Sequence, residues 1–364
     1  MINLWKSRVA LESLRLLALV RAYLRHRDPR RRQSGQYLTA FYERVWREAA
    51  ELLGAKYEPL GYGILEILLD GARVRAVENT CSIEDPVTIA IAGNKLLTYR
   101  LLGEAGLSVP RYAGFALTDA AKAFAFLESS RRECVVKPAI GTGGGRGVTT
   151  GITRSSQLAR AAAAASVYGD ELLIEEQVEG DNYRLLYLDG VLLDAFVRKL
   201  PTVVADGRST VAKLVEGANA DRLRHGSELS QVLLTVDLDM QRTLAKQGLS
   251  LRSIPAEGRV VTLKTVINEN RGADNTSATH LLCDSVVEDG ARAARALHVR
   301  LAGIDIITRD PGVPLAESGG VVLEVNTTPN FYFHYHKQDG RFPVAVHVLE
   351  RLLAAPSNLE GYHE

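Results

Sequence analysis

The chain has 364 residues, 46% of them hydrophobic and 24% charged, with a formal net charge of +1. That length suggests two or three domains, and the composition excludes a disordered or fibrous protein. The near-neutral balance gives no general attraction to nucleic acid, and three widely spaced cysteines, Cys81, Cys134 and Cys283, form neither a disulfide framework nor a zinc knuckle, which points to a reducing cytoplasm.

In chain order, Leu11, Leu14, Ala18 and Val20 or Tyr23 recur near helical spacing and predict an amphipathic helix with a basic face. Glu12, Arg15 and Arg21 break its apolar run, so it is not a membrane span. Such a helix packs on its own protein or on a twin subunit, with membrane-surface docking the rarer alternative. YLTAFYERVWREAAELLG predicts a second helix stopped at Gly54, and GILEILLDGARVRAV a hairpin about Asp70-Gly71. Helix 94–104, strand 111–115, helix 118–129 and strand 134–137 follow as a compact α/β unit. Next come strand 148–152, an alanine-rich helix 155–168, strand 172–176 and a hairpin about Asp189-Gly190. The remainder reads as helices 211–219 and 237–247, strand 259–267, helix 285–298, strands GIDIIT and GGVVLEVN, and a closing helix 343–354.

The stretch VVKPAIGTGGGRGVTTGI, from Val135 to Ile152, holds five glycines between positions 141 and 147. Such a turn lets backbone N–H groups approach phosphate oxygens and tolerates positive φ. The spacing is neither GxxxxGK[ST] nor a GxGxxG that opens a helix, so on the loop alone a phosphate cradle and a plain flexible hairpin are equal readings. Lys137, on an apolar strand, needs a counter-charge, which a nucleotide phosphate would supply. Further on, Glu324 and Asn326 are two apart on one strand and share a face, and Asp305 from GIDIIT could join them if the strands pair. Two carboxylates and an amide oxygen are hard ligands suited to magnesium.

The ordered set NK, VVKP, GTGGGRGV, IEEQVEGDNYRLL, RKLP, DGRST, GIDII and LEVNTTP resembles the ATP-grasp superfamily of carboxylate–amine ligases. The resemblance covers roughly residues 80 to 350 and is greatest to the ATP-grasp portion of cyanophycin synthetase and related glutathione and amino-acid ligases. It implies an α/β protein with two lobes clasping a nucleotide, plus a helical N-terminal region. The expected divisions are 1–80, helical with a hairpin and substrate-facing or dimerising; 81–133, a pre-domain; 134–200, the lid lobe; and 201–364, the lobe with the metal site. The implied chemistry is phosphorylation of a carboxylate by ATP, attack by an amine, and release of an amide, ADP and phosphate.

Carried over by residue, the resemblance assigns Lys95 and Lys137 to ATP phosphates and Gly141 to Gly147, with Gly143, Gly144, Gly145 and Gly147, to the lid. Glu175, Glu176 and Val178 become the adenine hinge. Arg184 steadies the acyl phosphate with Lys199 as a second cation, although a register slip of one would substitute Arg198. Asp305, Glu324 and Asn326 hold two Mg2+ ions, for which Mn2+ can stand in. Where relatives carry an acidic ribose-binding residue just before YR, this chain has Asn182, with Asp181 one place earlier. EVNTTPN departs at Asn330 from the relatives' EVN..PG. Cyanophycin synthetase also carries a second ligase unit after its grasp portion, so a chain ending at Glu364 is expected to form a single bond.

Four residues stand outside the motif set. Arg271, in NENRGADNTSATH, grips a substrate carboxylate or lies on a surface loop. His334 and His336 would face one side if extended, as a base for the amine or as structural histidines. Cys134 reads as inert core. The expected partners are an amino acid or short peptide plus an amine, in a homo-oligomer. The rival readings are a ligase that modifies a peptide or carrier-bound acid, and an ATP-binding module without chemistry.

Overall fold

The computed structural model describes residues 7–26, 29–141, 144–224 and 233–354. Its elements run α1 (Arg8–His26), α2 (Pro29–Leu52), β1 (Lys56–Gly61), β2 (Ile64–Leu69), β3 (Ala72–Val77), β4 (Thr80–Cys81), α3 (Pro86–Ala92), α4 (Lys95–Glu104), β5 (Tyr112–Ala116) and α5 (Ala121–Ser129). Then come β6 (Cys134–Pro138), β7 (Thr149–Ile152), α6 (Ser155–Ala165), β8 (Glu171–Glu176), β9 (Asp181–Leu188), β10 (Val191–Arg198), β11 (Thr202–Val204), α7 (Val211–Arg224) and α8 (Leu238–Lys246). The chain ends through β12 (Val260–Thr262), β13 (Thr276–Ser277), α9 (Asp284–Ala296), β14 (Leu301–Thr308), α10 (Leu315–Ser318), β15 (Val321–Asn326), α11 (Tyr332–Tyr335) and α12 (Val344–Leu353).

Local chemistry sets several of these starts. The Asn94 side chain accepts from Leu96 N and Leu97 N at 3.1 Å and caps α4, which fixes where Lys95 begins its helix. Asp237 caps α8 in the same way, accepting from Met240 N at 3.0 Å. The expected strand 259–267 shrinks to β12. Past Thr262 the backbone amides of Thr265 and Val266 donate to the Asp239 carboxylate at 3.0 and 3.2 Å, so a side chain takes the bonds a neighbouring strand would have made.

Two sheets carry the architecture. β5-β8-β6-β7 is a four-stranded lid sheet, and β13-β10-β9-β14-β15 a five-stranded base sheet. Membership departs from the expected divisions at two points. β5 lies in the lid sheet, not in a separate pre-domain, and the hairpin β9–β10 hydrogen-bonds to β14 in the base, not in the lid. One face of the base sheet, with Leu185, Tyr187, Ala195, Ala302 and Ile304, is covered by α9.

The N-terminal region forms its own four-stranded sheet, β1-β2-β3-β4, and shares a core with the opposite face of the base. There Phe41, Tyr42 and Trp46 of α2 pack with Leu186, Phe196, Leu301, Phe331 and Tyr332. FYFHYH is therefore not extended. Phe331 and Tyr332 are wholly buried, and the segment turns into the short helix α11 to reach this core.

Candidate active site between the lobes

Residues two apart on a strand share a face, and antiparallel register decides which of them meet. Asp305 pairs with Arg184 on one side and Glu324 on the other, Arg198 pairs with Asn182, and Gly303 with Asn326. Asn182, Arg184, Arg198, Asp305, Glu324 and Asn326 thus meet on one face of the base sheet. The same face, further along, is the apolar floor beneath the N-terminal core.

Asp305 is 3% exposed and gripped twice. Arg184 donates through Nε to Oδ1 and through Nη2 to Oδ2 at 3.1 Å, while Nη2 of Arg198 stands 3.2 Å from Oδ1. Burial pushes the Asp305 carboxyl up, but the two guanidiniums outweigh it and hold the group below the usual range. Arg198 is itself pulled down to about 10, by burial first and then by the like charge of Arg184. It donates to Asn268 Oδ1 at 3.1 Å, yet among the described residues its Nε and the Oδ1 of Asn182 are buried without a partner.

The second cation on this face is Arg198, not Lys199. Lys199 points outward and is exposed, with its backbone amide bonded to Asn275. The cause is a bulge in β10. Pairing starts at Val191 with Leu188, then skips one residue between Leu192 and Asp194, which reverses the faces of everything downstream.

The lid contributes a sealed group. Lys137 Nζ lies 2.8 Å from Glu175 Oε1 and donates to Tyr99 Oη at 3.0 Å, and Tyr99 donates to Glu175 Oε2 at 2.7 Å. The counter-charge that Lys137 requires is therefore Glu175, whose carboxylate is turned inward and committed there. Glu176 instead faces Arg111 at 2.8 Å and Ser130. Val178 is half-buried in the short link between β8 and β9. Gly180 closes that link with φ 142°, and a Cβ there would meet the Thr308 carbonyl carbon at 2.4 Å, so the link lies hard against the end of β14.

Lys95, at the start of α4, reaches across to Glu324 at 3.5 Å. Of the glycine loop, Gly143 lies outside the described residues, whereas Gly144, Gly145 and Gly147 all adopt positive φ. A Cβ on Gly145 would meet Val266 Cγ1 at 2.3 Å and Asn268 Nδ2 at 3.1 Å. The loop thus rests on the same Asn268 that holds Arg198.

Arg271 has its fork on Asp274, with Nη2 2.6 Å from Oδ1, and in this arrangement holds a local turn. His334 is fully buried, with Nδ1 2.7 Å from Asp194 Oδ2, and Lys337 holds the other oxygen at 2.7 Å. Burial lowers its pKa and keeps the ring neutral. His336 stacks on Tyr332 at 4.2 Å. Cys134 is buried in the lid core, as expected.

Among the described residues no group of three His, Cys, Asp or Glu could hold a metal. A cation would use Glu324, the amide oxygen of Asn326, whose Nδ2 donates to Gly303 O at 3.1 Å, and the share of Asp305 that the arginines leave. Two carboxylates and an amide oxygen suit magnesium bridging to phosphates. Sequence reasoning missed Tyr99 and Asn268, which meet their partners only in the fold.

No family model matches the chain. It is 31% identical over 255 residues to a cyanophycin synthetase of Nostoc sp., covering 69% of this chain and 28% of that protein. To a glutathione biosynthesis bifunctional protein of Streptococcus mutans it is 30% identical over 268 residues, 72% of this chain and 35% of that one. It therefore spans roughly a third of the length of these curated relatives. Among solved structures, a bifunctional glutathione synthetase from Pasteurella multocida superposes with a TM-score of 0.51 at 25% identity, over 82% of this chain and 41% of that one. With the two sheets and the ordered motifs, these likenesses lead to one conclusion: the chain belongs to the ATP-grasp superfamily, as a relative of the cyanophycin synthetases and the bifunctional glutathione synthetases.

Proposed function

We propose that this protein is an ATP- and magnesium-dependent ligase that joins the carboxylate of an amino acid or short peptide to an amine, through an acyl phosphate, in the cytoplasm. The observation that carries the reading is the polar face of the base sheet, where Arg184, Arg198, Asp305, Glu324 and Asn326 converge opposite Lys95. Charge moves from a γ-phosphate to a carboxylate in such a reaction, and fixed cations in a buried site stabilise it with little reorganisation. Arg184 and Arg198 hold the transferring phosphoryl group and the acyl oxygen, and Arg198 takes the part first assigned to Lys199. Magnesium, held by Glu324, Asn326 and Asp305, supplies further charge neutralisation to the phosphates. Lys95 and Lys137 lie toward the nucleotide, Val178 and the backbone beside it toward the adenine, and the glycine loop covers the phosphates and excludes water.

The N-terminal region borders this site, which supports a substrate-facing role. Tyr42 donates to Asn330 Oδ1 at 3.0 Å, and Asn79 Nδ2 to Thr328 O at 2.5 Å, so residues before 80 hold the loop that follows the metal-ligand strand.

The test is ADP release by the purified protein with Mg-ATP, across single amino acids and then pairs, with products weighed by mass spectrometry. ADP together with a condensed mass from one pair is the expected result. ATP bound tightly with no ADP from any amino acid, peptide or amine would reject the ligase reading in favour of a binding module.

A further inference from the structure

Helix α1 has two apolar faces, and the described residues cover only one of them. Leu11 and Ala22 are buried on the inner face, where α1 lies along α6 and Leu11 joins Leu158, Ala159 and Ala162 in the lid core. Arg15 fastens that side to Asp170 at 3.2 Å. On the outer face Val9, Leu16, Leu17 and Val20 are 78%, 63%, 57% and 52% exposed. At 100° per residue, Val9, Leu16 and Val20 fall on one stripe opposite Leu11 and Ala22.

Charge identifies what fits this stripe. Residues 1–33 contain nine lysines and arginines against two acids, a net +7 in a chain whose total is +1. Everything after residue 33 therefore carries −6, and of the basic residues before it Arg8 and Arg21 lie exposed at the flanks of the stripe. A second copy of the chain would bring a like charge against it, which disfavours self-pairing. A nucleic acid would answer the arginines and offer nothing to the aliphatic side chains.

We propose that α1 seats the protein on an anionic lipid surface, with Val9, Leu16, Leu17 and Val20 at the acyl boundary and the arginines among the headgroups. Apolar burial and electrostatic attraction add in such interfacial helices, and each basic residue near an anionic leaflet contributes. Attachment is peripheral, because no helix among the described residues is long and apolar enough to cross a membrane. Since α1 also lies on the lid lobe, the lipid surface and the nucleotide lid share one rigid support.

The experiment is co-sedimentation of the full chain with phosphatidylcholine vesicles, with and without phosphatidylserine, at low and high salt. The wild type is expected on phosphatidylserine vesicles alone, with binding weakened roughly tenfold or more by high salt or by the double substitution Leu16→Glu, Val20→Glu. Both sites are exposed, so the thermal melt should not change, and a circular-dichroism melt checks it. The proposal fails if phosphatidylserine vesicles retain no protein, if neutral vesicles retain it equally, or if the double variant binds as the wild type does. A dimer in light scattering that the double variant dissociates, with no vesicle binding, would assign the face to a second copy.

Discussion

The lid and base lobes each bury a cation beside a carboxylate, and they treat it in opposite ways. In the lid, Lys137, Glu175 and Tyr99 close a triangle of contacts at 2.8, 3.0 and 2.7 Å. In the base, two guanidiniums crowd Asp305, and Arg198 Nε and Asn182 Oδ1 are buried without partners among the described residues. A buried polar atom left unpaired costs about 1–3 kcal/mol, so around its cations the base is under-satisfied by the described residues, while the lid's triangle is closed. Ligand atoms are needed in the base, which has donors and acceptors to offer, whereas the lid chiefly offers a wall and a covering loop.

The largest effect should come from breaking the sealed triangle. Lys137→Met strands the Glu175 carboxylate in the lid core and should cost about 3–5 kcal/mol of stability, read by urea denaturation. Adding Glu175→Leu should recover much of that loss without restoring ADP release, which separates structural pairing from phosphate contact. If the single variant melts like the wild type, the triangle is not sealed in solution.

Next in size is the base. Arg198→Ala should lower kcat for ADP release by roughly 10²-fold, the usual cost of removing one preorganised charge donor, while Lys199→Ala should change it by about twofold or less. Equal losses would return the role to Lys199. Smaller again is the contact between lobes. Gly145→Ala combines φ 70° with a 2.3 Å approach to Val266 Cγ1, whereas Gly144→Ala meets nothing within 4 Å. Both pay the positive-φ cost, of about 1 kcal/mol, but only Gly145→Ala should also raise KM for ATP, by roughly tenfold, by unseating the loop from Asn268.

The smallest effect is a pH slope. Burial lowers the His334 pKa from the ordinary 6.5, so the unfolded chain takes up a proton before the folded one does. Stability is full above the unfolded value and falls as pH drops from about 6.5 toward the folded value. The melting temperature should therefore decline between neutral pH and about pH 5, and His334→Gln should flatten that decline. A variant with the wild-type slope would place the titration elsewhere.

Much of the candidate site was legible before any fold, and the reason is periodicity. The two-residue spacing of Glu324 and Asn326 sets both on one face whatever the rest of the chain does, and the Asp189-Gly190 turn makes β9 and β10 neighbours. Element order, the hairpins and the helix caps at Asn94 and Asp237 are likewise local events, decided by residues within a turn of each other. Register and burial are not local. Carried straight from the Asp189-Gly190 turn, the pairing would put Ala195 opposite Arg184 and turn Lys199 inward. The bulge after Leu192 puts Phe196 there and turns Arg198 inward instead. Only the packed structure decides this, because the bulge places Phe196 in the core against His334 and Phe333, and apolar burial selects the register that then aims the arginine.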